Sequence, residues 1–68
     1  MTDKVYKLLE LVGTSAKSSD DAGENAITRA SETLRNLDWF EVLESRGSIK
    51  DGKINCYQVT LRIGFRLE

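Results

Sequence analysis

Residues 39–65 read WFEVLESRGSIKDGKINCYQVTLRIGF, two apolar-rich runs on either side of one Asp51-Gly52 pair. Aspartate and glycine both tolerate the positive φ of a two-residue type I′ turn, whose twist matches the strands it joins. With Asp51 and Gly52 as the loop, Lys50 faces Lys53 and the other pairs follow by counting. Unbroken pairing sets Trp39 opposite Gly64, Glu41 opposite Arg62, Leu43 opposite Thr60 and Ser45 opposite Gln58 on one face. On the other face Phe40 meets Ile63, Val42 meets Leu61 and Glu44 meets Val59. The register brings opposite charges together at Glu41 and Arg62, and it joins Val59, Leu61, Ile63 and Phe65 to Phe40 and Val42 in one apolar surface. A bulge would displace every pair beyond it by one, so the register is expected to hold best near the turn and least well at Trp39.

Upstream of the hairpin lies a helix. Ser18-Ser19-Asp20-Asp21 supplies side-chain oxygens for the free amides of a first turn, and carboxylates that complement the positive end of the helix dipole. Ala22, Ala26, Ile27, Ala30, Leu34 and Leu37 then trace one stripe of a 3.6-residue period. The pattern predicts a helix that delivers Trp39 as the first residue after it. A stripe made mostly of alanine lets the helix approach a sheet closely. Before the helix, the run Val5-Tyr6-Lys7-Leu8-Leu9-Glu10-Leu11-Val12 reads as a strand with apolar residues on both faces, ended by Gly13-Thr14-Ser15. A right-handed crossover makes this strand parallel to the one beginning at Trp39. The last strand is the longest and most apolar, and placing it centrally makes the sheet antiparallel throughout. The fold class is therefore α+β, in the order β-α-β-β, with a three-stranded antiparallel sheet wrapped on one amphipathic helix. Residues 1–68 are expected to form a single domain.

At 68 residues the chain buries only about 60% of the surface it exposes when unfolded, so it needs reinforcement from disulfides, a metal or other subunits. Cys56 is the only cysteine and there is no histidine, which excludes a disulfide and a closed zinc site. A homo-oligomer is the remaining source of stability. The net charge of −1 and the lack of a basic run argue against nucleic acid as a partner. No apolar run approaches the ~20 residues of a membrane span. The start, Met1 to Tyr6, has no long apolar core, and a lone thiol suits a reducing compartment, so a cytoplasmic protein is expected.

By counting, the helix claims one face of the hairpin and leaves Trp39, Glu41, Leu43, Ser45, Gln58, Thr60, Arg62 and Gly64 on the other. That face combines an aromatic platform, a glycine that leaves room beside it, and an amide able to donate and accept. Two readings of Trp39 follow: an anchor for another subunit, which pattern alone favours because tryptophan is enriched at interfaces, or a platform for a planar ligand. Gln58 shares its face. Arg46 and Arg66 could hold a phosphate, although a surface or interface ion pair is the better reading of each from pattern alone. Catalysis is not expected. Histidine, the commonest general base, is missing, and no Gly-rich phosphate loop or enclosed carboxylate pair is present. No acidic spacing defines a metal site.

The stretches Val12-Gly13-Thr14-Ser15, Leu37-Asp38-Trp39-Phe40-Glu41-Val42, Arg46-Gly47, Tyr57-Gln58-Val59 and Ile63-Gly64-Phe65-Arg66-Leu67-Glu68 resemble the dodecin family in order and spacing. The resemblance runs from about Lys4 to Glu68 and is weakest between Ala16 and Gly23. It implies a small flavin-binding protein assembled as a hollow dodecamer, serving flavin storage, scavenging or photoprotection. Two-fold-related copies of Trp39 would sandwich a pair of flavin rings, either riboflavin or flavin mononucleotide (FMN), and Gln58 would hydrogen-bond the ring's polar edge. Arg46 and Arg66 match arginines implicated in holding the phosphate of FMN. Some members are also associated with coenzyme A. An isoalloxazine is planar and electron-poor whereas indole is electron-rich, so the implied stacking is physically favourable. The alternative is an assembly module that binds coenzyme A or no flavin and uses Trp39 as an interface anchor.

Overall fold

The computed structural model describes residues 3–68; Met1 and Thr2, part of the expected domain, lie outside the described residues. Four elements follow one another: β1 (Tyr6–Ser15), α1 (Ser19–Ser31), β2 (Leu37–Lys50) and β3 (Lys53–Arg66). The sheet order is β1-β3-β2, with β3 antiparallel to both neighbours. The expected α+β class, β-α-β-β order and central third strand are all present.

The core lies between α1 and β3. Ala22, Ala26 and Ala30 face Val59, Leu61 and Ile63, and Leu61 and Ile63 are fully buried. Small helix residues allow this approach, and Gly13 extends it onto β1: a Cβ there would collide with the Ala22 carbonyl and crowd the Ala26 methyl. Ser18 caps the helix, its hydroxyl accepting from the Asp21 amide at 3.0 Å. Buried Ser15 ties the strand to the same turn by donating to Asp21 Oδ2 at 2.7 Å.

Three sequence expectations are corrected. First, Gly13-Thr14-Ser15 lies inside β1, which stops at Ser15 and not after Val12. These residues pair with Val59, Gln58 and Tyr57, and Asn25 Nδ2 donates to the Thr14 carbonyl at 2.9 Å. A partner strand as long as β3 offers ladder hydrogen bonds past the point where the apolar run stops. Second, α1 ends at Ser31 and does not reach Leu37. The amides of Thr33 and Leu34 both turn back to the Ala30 carbonyl at 3.2 and 2.9 Å, and Asn36 takes a left-handed φ of 63°. Leu34 and Leu37 still pack on the core, so their helical spacing reflects burial without helix. The Asn36 carbonyl accepts from the Arg66 amide at 3.0 Å, which draws the chain into the sheet early. Trp39 is therefore the third residue of β2.

The third correction concerns register. Trp39–Gly64, Phe40–Ile63, Glu41–Arg62 and Val42–Leu61 pair as counted, and so does Lys50–Lys53 around a turn with φ of 53° at Asp51 and 75° at Gly52. Between these ends the ladder is displaced by one: Glu44 meets Thr60, Ser45 meets Val59 and Arg46 meets Gln58. The expected Leu43–Thr60, Glu44–Val59 and Ser45–Gln58 pairs do not form. Leu43 is an extra residue on β2, and Asn55 is an extra residue on β3 that restores the count. Because the Leu43 and Asn55 bulges cancel, the pairs from Trp39 to Val42 keep the counted register, and a third shift, between Leu37 and Trp39, displaces the pairing again at Leu37–Phe65. Bulges add local twist, and a ribbon of two 14-residue strands needs it to coil around a short helix.

Candidate functional site

The Leu43 bulge reverses the alternation of β2 for the residues that follow. Ser45 turns toward the helix side with Val59, and Glu44 and Arg46 turn to the face that carries Trp39. Rows of three then cross the open face. Leu8, Gly64 and Trp39 form one; Glu10, Arg62 and Glu41 the next; then Val12, Thr60 and Glu44; then Thr14, Gln58 and Arg46. Tyr6 pairs with Arg66 beyond the first row.

At one end the Trp39 ring lies across β3 over Gly64, where any Cβ would run into the indole. Tyr6 meets Trp39 edge-on, with centroids 4.8 Å apart and planes at 60°, a favourable quadrupolar arrangement. The Tyr6 phenol is shifted above the ordinary tyrosine range, first because the Asp38 carboxylate is an acceptor that favours the protonated phenol, then through desolvation and the Asp38 charge, with Arg66 opposing. Trp39 keeps 43% of its surface exposed. One side of its ring is therefore set by backbone and Tyr6, and the rest is uncovered in a single chain.

In the middle, Arg62 bridges two carboxylates, Glu10 at 3.1 Å and Glu41 at 3.4 Å. The pairing with Glu41 was legible in the sequence, and Glu10 joins it across the other ladder. At the far end Arg46 Nε donates to Gln58 Oε1 at 2.9 Å, with a guanidinium nitrogen 4.0 Å from Glu44. Along β3, Gly64 and Gln58 are six residues apart, about 20 Å at the rise of an antiparallel strand. Trp39 and Gln58 thus share a face, as expected, but stand at opposite ends of it. Arg66 sits at the Trp39 end and Arg46 at the Gln58 end.

Sequence reasoning missed Tyr6 as the edge partner of Trp39. The signal was its place at the start of an alternating run whose register to β3 the hairpin alone could not supply. It also missed the closeness of Arg46 to Gln58, for which no local signal exists, since simple alternation puts Arg46 on the opposite side.

A sequence profile for the family Dodecin matches residues 5–68, spanning all four elements and both ends of the open face. The chain belongs to the dodecin family. The dodecin of Thermus thermophilus is 55% identical over 65 residues, which cover 96% of this chain and 94% of that one. The fold superposes on dodecin from Streptomyces coelicolor with a TM-score of 0.95 at 54% identity, covering 100% of this chain and 97% of that one. A Mycobacterium tuberculosis protein called calcium dodecin is 30% identical over 63 residues, 93% of this chain and 89% of that one. Dodecins are small oligomeric proteins that bind small ligands. Among the described residues, no three Asp, Glu, His or Cys side chains converge as a cation site, and no helix is long and apolar enough to cross a membrane.

Proposed function

We propose that this dodecin is a cytoplasmic flavin-sequestering protein and no enzyme, its 68 residues acting as one domain in a hollow dodecamer. The flavin ring stacks on the uncovered side of Trp39, and a second flavin on a two-fold-related Trp39 completes the sandwich. Stacked indole quenches the excited flavin, so storage and photoprotection are one physical act. The observation that carries this reading is the indole laid over Gly64 with its remaining surface exposed on a sheet face. A plain interface anchor needs burial alone. A stacking platform needs a flat ring held in a set plane, and glycine beneath it together with Tyr6 at its edge supplies that.

The length of the open face adds a requirement. The Trp39 ring leans toward Tyr6, away from Gln58, and about 20 Å of strand separates the two ends. A three-ring flavin stacked on Trp39 cannot reach Gln58 of the same chain. Its polar edge is read by Gln58 of a neighbouring subunit, so each site is completed only by assembly. Arg66 and Arg46 bring positive charge to the two ends of the face and suit the phosphate of FMN; riboflavin uses the same ring contacts without it. Coenzyme A, another phosphate-bearing ligand, would draw on the same arginines.

The test is a fluorescence titration. Added riboflavin should lose its emission on binding, and Trp39→Ala should abolish most of that binding while native mass spectrometry still finds an oligomer. A Trp39→Ala protein with wild-type affinity, or riboflavin that stays bright with the wild type, rejects the proposal. Acid release of the ligand from purified protein, followed by chromatography, identifies which flavin is carried.

A further inference from the structure

We infer that Arg46 is a positioning residue for Gln58: it fixes which way the amide faces, and so sets how the polar edge of the ring is read, independently of any phosphate. The inference rests on the flavin-binding reading above and assigns a task within it that charge alone would not predict.

The geometry is specific. A guanidinium can only donate, so the 2.9 Å contact from Arg46 Nε identifies the facing atom of Gln58 as its carbonyl oxygen. The NH2 group is then turned away from β2, and among the described residues it has no hydrogen-bond partner. A carboxamide held in this way offers two donors and one remaining acceptor lone pair in a defined order. That order suits a ligand edge carrying a carbonyl beside an N–H, as the pyrimidine end of an isoalloxazine does. Without Arg46 the amide can turn over and present the reverse order. Gln58 is half-buried and anchored in the central strand, whereas Arg46 is exposed and anchored in β2. The pair exists only because the Leu43 bulge moves Arg46 onto this face and opposite Gln58. Bulges commonly re-aim a side chain beside a binding site.

The deciding probe is lumiflavin, the bare ring, with no phosphate and no ribityl chain. If Arg46 orients Gln58, Arg46→Ala weakens lumiflavin binding by about tenfold, the scale of one charge-assisted hydrogen bond. Gln58→Ala weakens it similarly, and the double variant is no weaker than Gln58→Ala alone, since the two act as one unit. If Arg46 served only phosphate, Arg46→Ala would leave lumiflavin affinity unchanged and lower that of FMN alone; this result overturns the inference. Additive losses in the double variant overturn it as well. Native mass is measured for every variant. Should Arg46→Ala fail to assemble, Arg46→Lys serves in its place: it keeps the charge for a phosphate but lacks the planar fork. The inference then requires lumiflavin binding to fall while FMN keeps part of its advantage over riboflavin, and wild-type lumiflavin affinity in Arg46→Lys rejects it. Loss of lumiflavin binding by the wild type would instead reject the flavin reading itself.

Discussion

The two ends of the open face are built on opposite principles. At the Trp39 end the parts are apolar and fixed by shape: an indole over a glycine, a tyrosine at its edge, Leu8 across the row. At the Gln58 end the parts are polar and fixed by hydrogen bonds: an arginine on an amide, with Thr14 across the row. Shape tolerates little change in volume, because a ring pressed on backbone has nowhere to go. Hydrogen-bonded groups tolerate changes in volume but not in the order of donors and acceptors. One sheet thus carries an aromatic half and an amide half about 20 Å apart, and under the proposed flavin reading they serve one ligand only across two subunits.

Substitutions can break this division or sharpen it. The largest effect should come from what the halves share. Leu61 is fully buried beneath the middle of the sheet, so Leu61→Ala should destabilise the fold by about 2–5 kcal/mol. Urea denaturation checks this, and riboflavin and lumiflavin binding should fall together because both ends lose their support. Gly64→Ala should act on one end only. The new Cβ forces the indole off β3, an overpacking strain of about 1–3 kcal/mol. Riboflavin affinity should fall by roughly tenfold or more, while the Arg46–Gln58 coupling measured in a double-variant cycle remains. Loss of that coupling in Gly64→Ala would show that the two ends are not independent. The smallest effect tests the polar contact inside the apolar end. The Asp38 carboxylate raises the Tyr6 pKa above its ordinary 10.0, so Asp38→Asn should return it toward that value in an alkaline absorbance titration. The sign extends to stability. The folded chain holds the phenol proton more tightly than the unfolded one, so this contribution is complete below the ordinary tyrosine range and is lost as pH rises through the folded value. A Tyr6 titration unmoved by Asp38→Asn would remove Asp38 from the account.

Much of this was legible in the chain. The Asp51-Gly52 turn, the apolar row on β3 and the alanine stripe led to the topology, the central strand and the pairs at both ends of the hairpin. Trp39 and Gln58 were correctly assigned to one face. What could not be read was where alternation breaks. In Val42-Leu43-Glu44-Ser45-Arg46 no residue marks itself as the extra one, because Glu44, Ser45 and Arg46 are all polar and either parity leaves a solvated face. The helix end was misread for a related reason. Leu34 and Leu37 keep helical spacing although one packs from the turn after α1 and the other from the first position of β2, since the core rewards burial of leucine whatever the backbone that delivers it.

The sequence by itself determined the features that rest on short-range chemistry: positive φ at a two-residue turn, capping at Ser18, the two-residue period of the strands, and a length and cysteine count that call for oligomerisation. Only the tertiary structure decided that Arg46 meets Gln58 and that Tyr6 edges Trp39. Those facts depend on two compensating bulges and on a second ladder to β1. Both arise from coiling a long ribbon around a short helix, a balance struck over the whole sheet and in no single stretch of it.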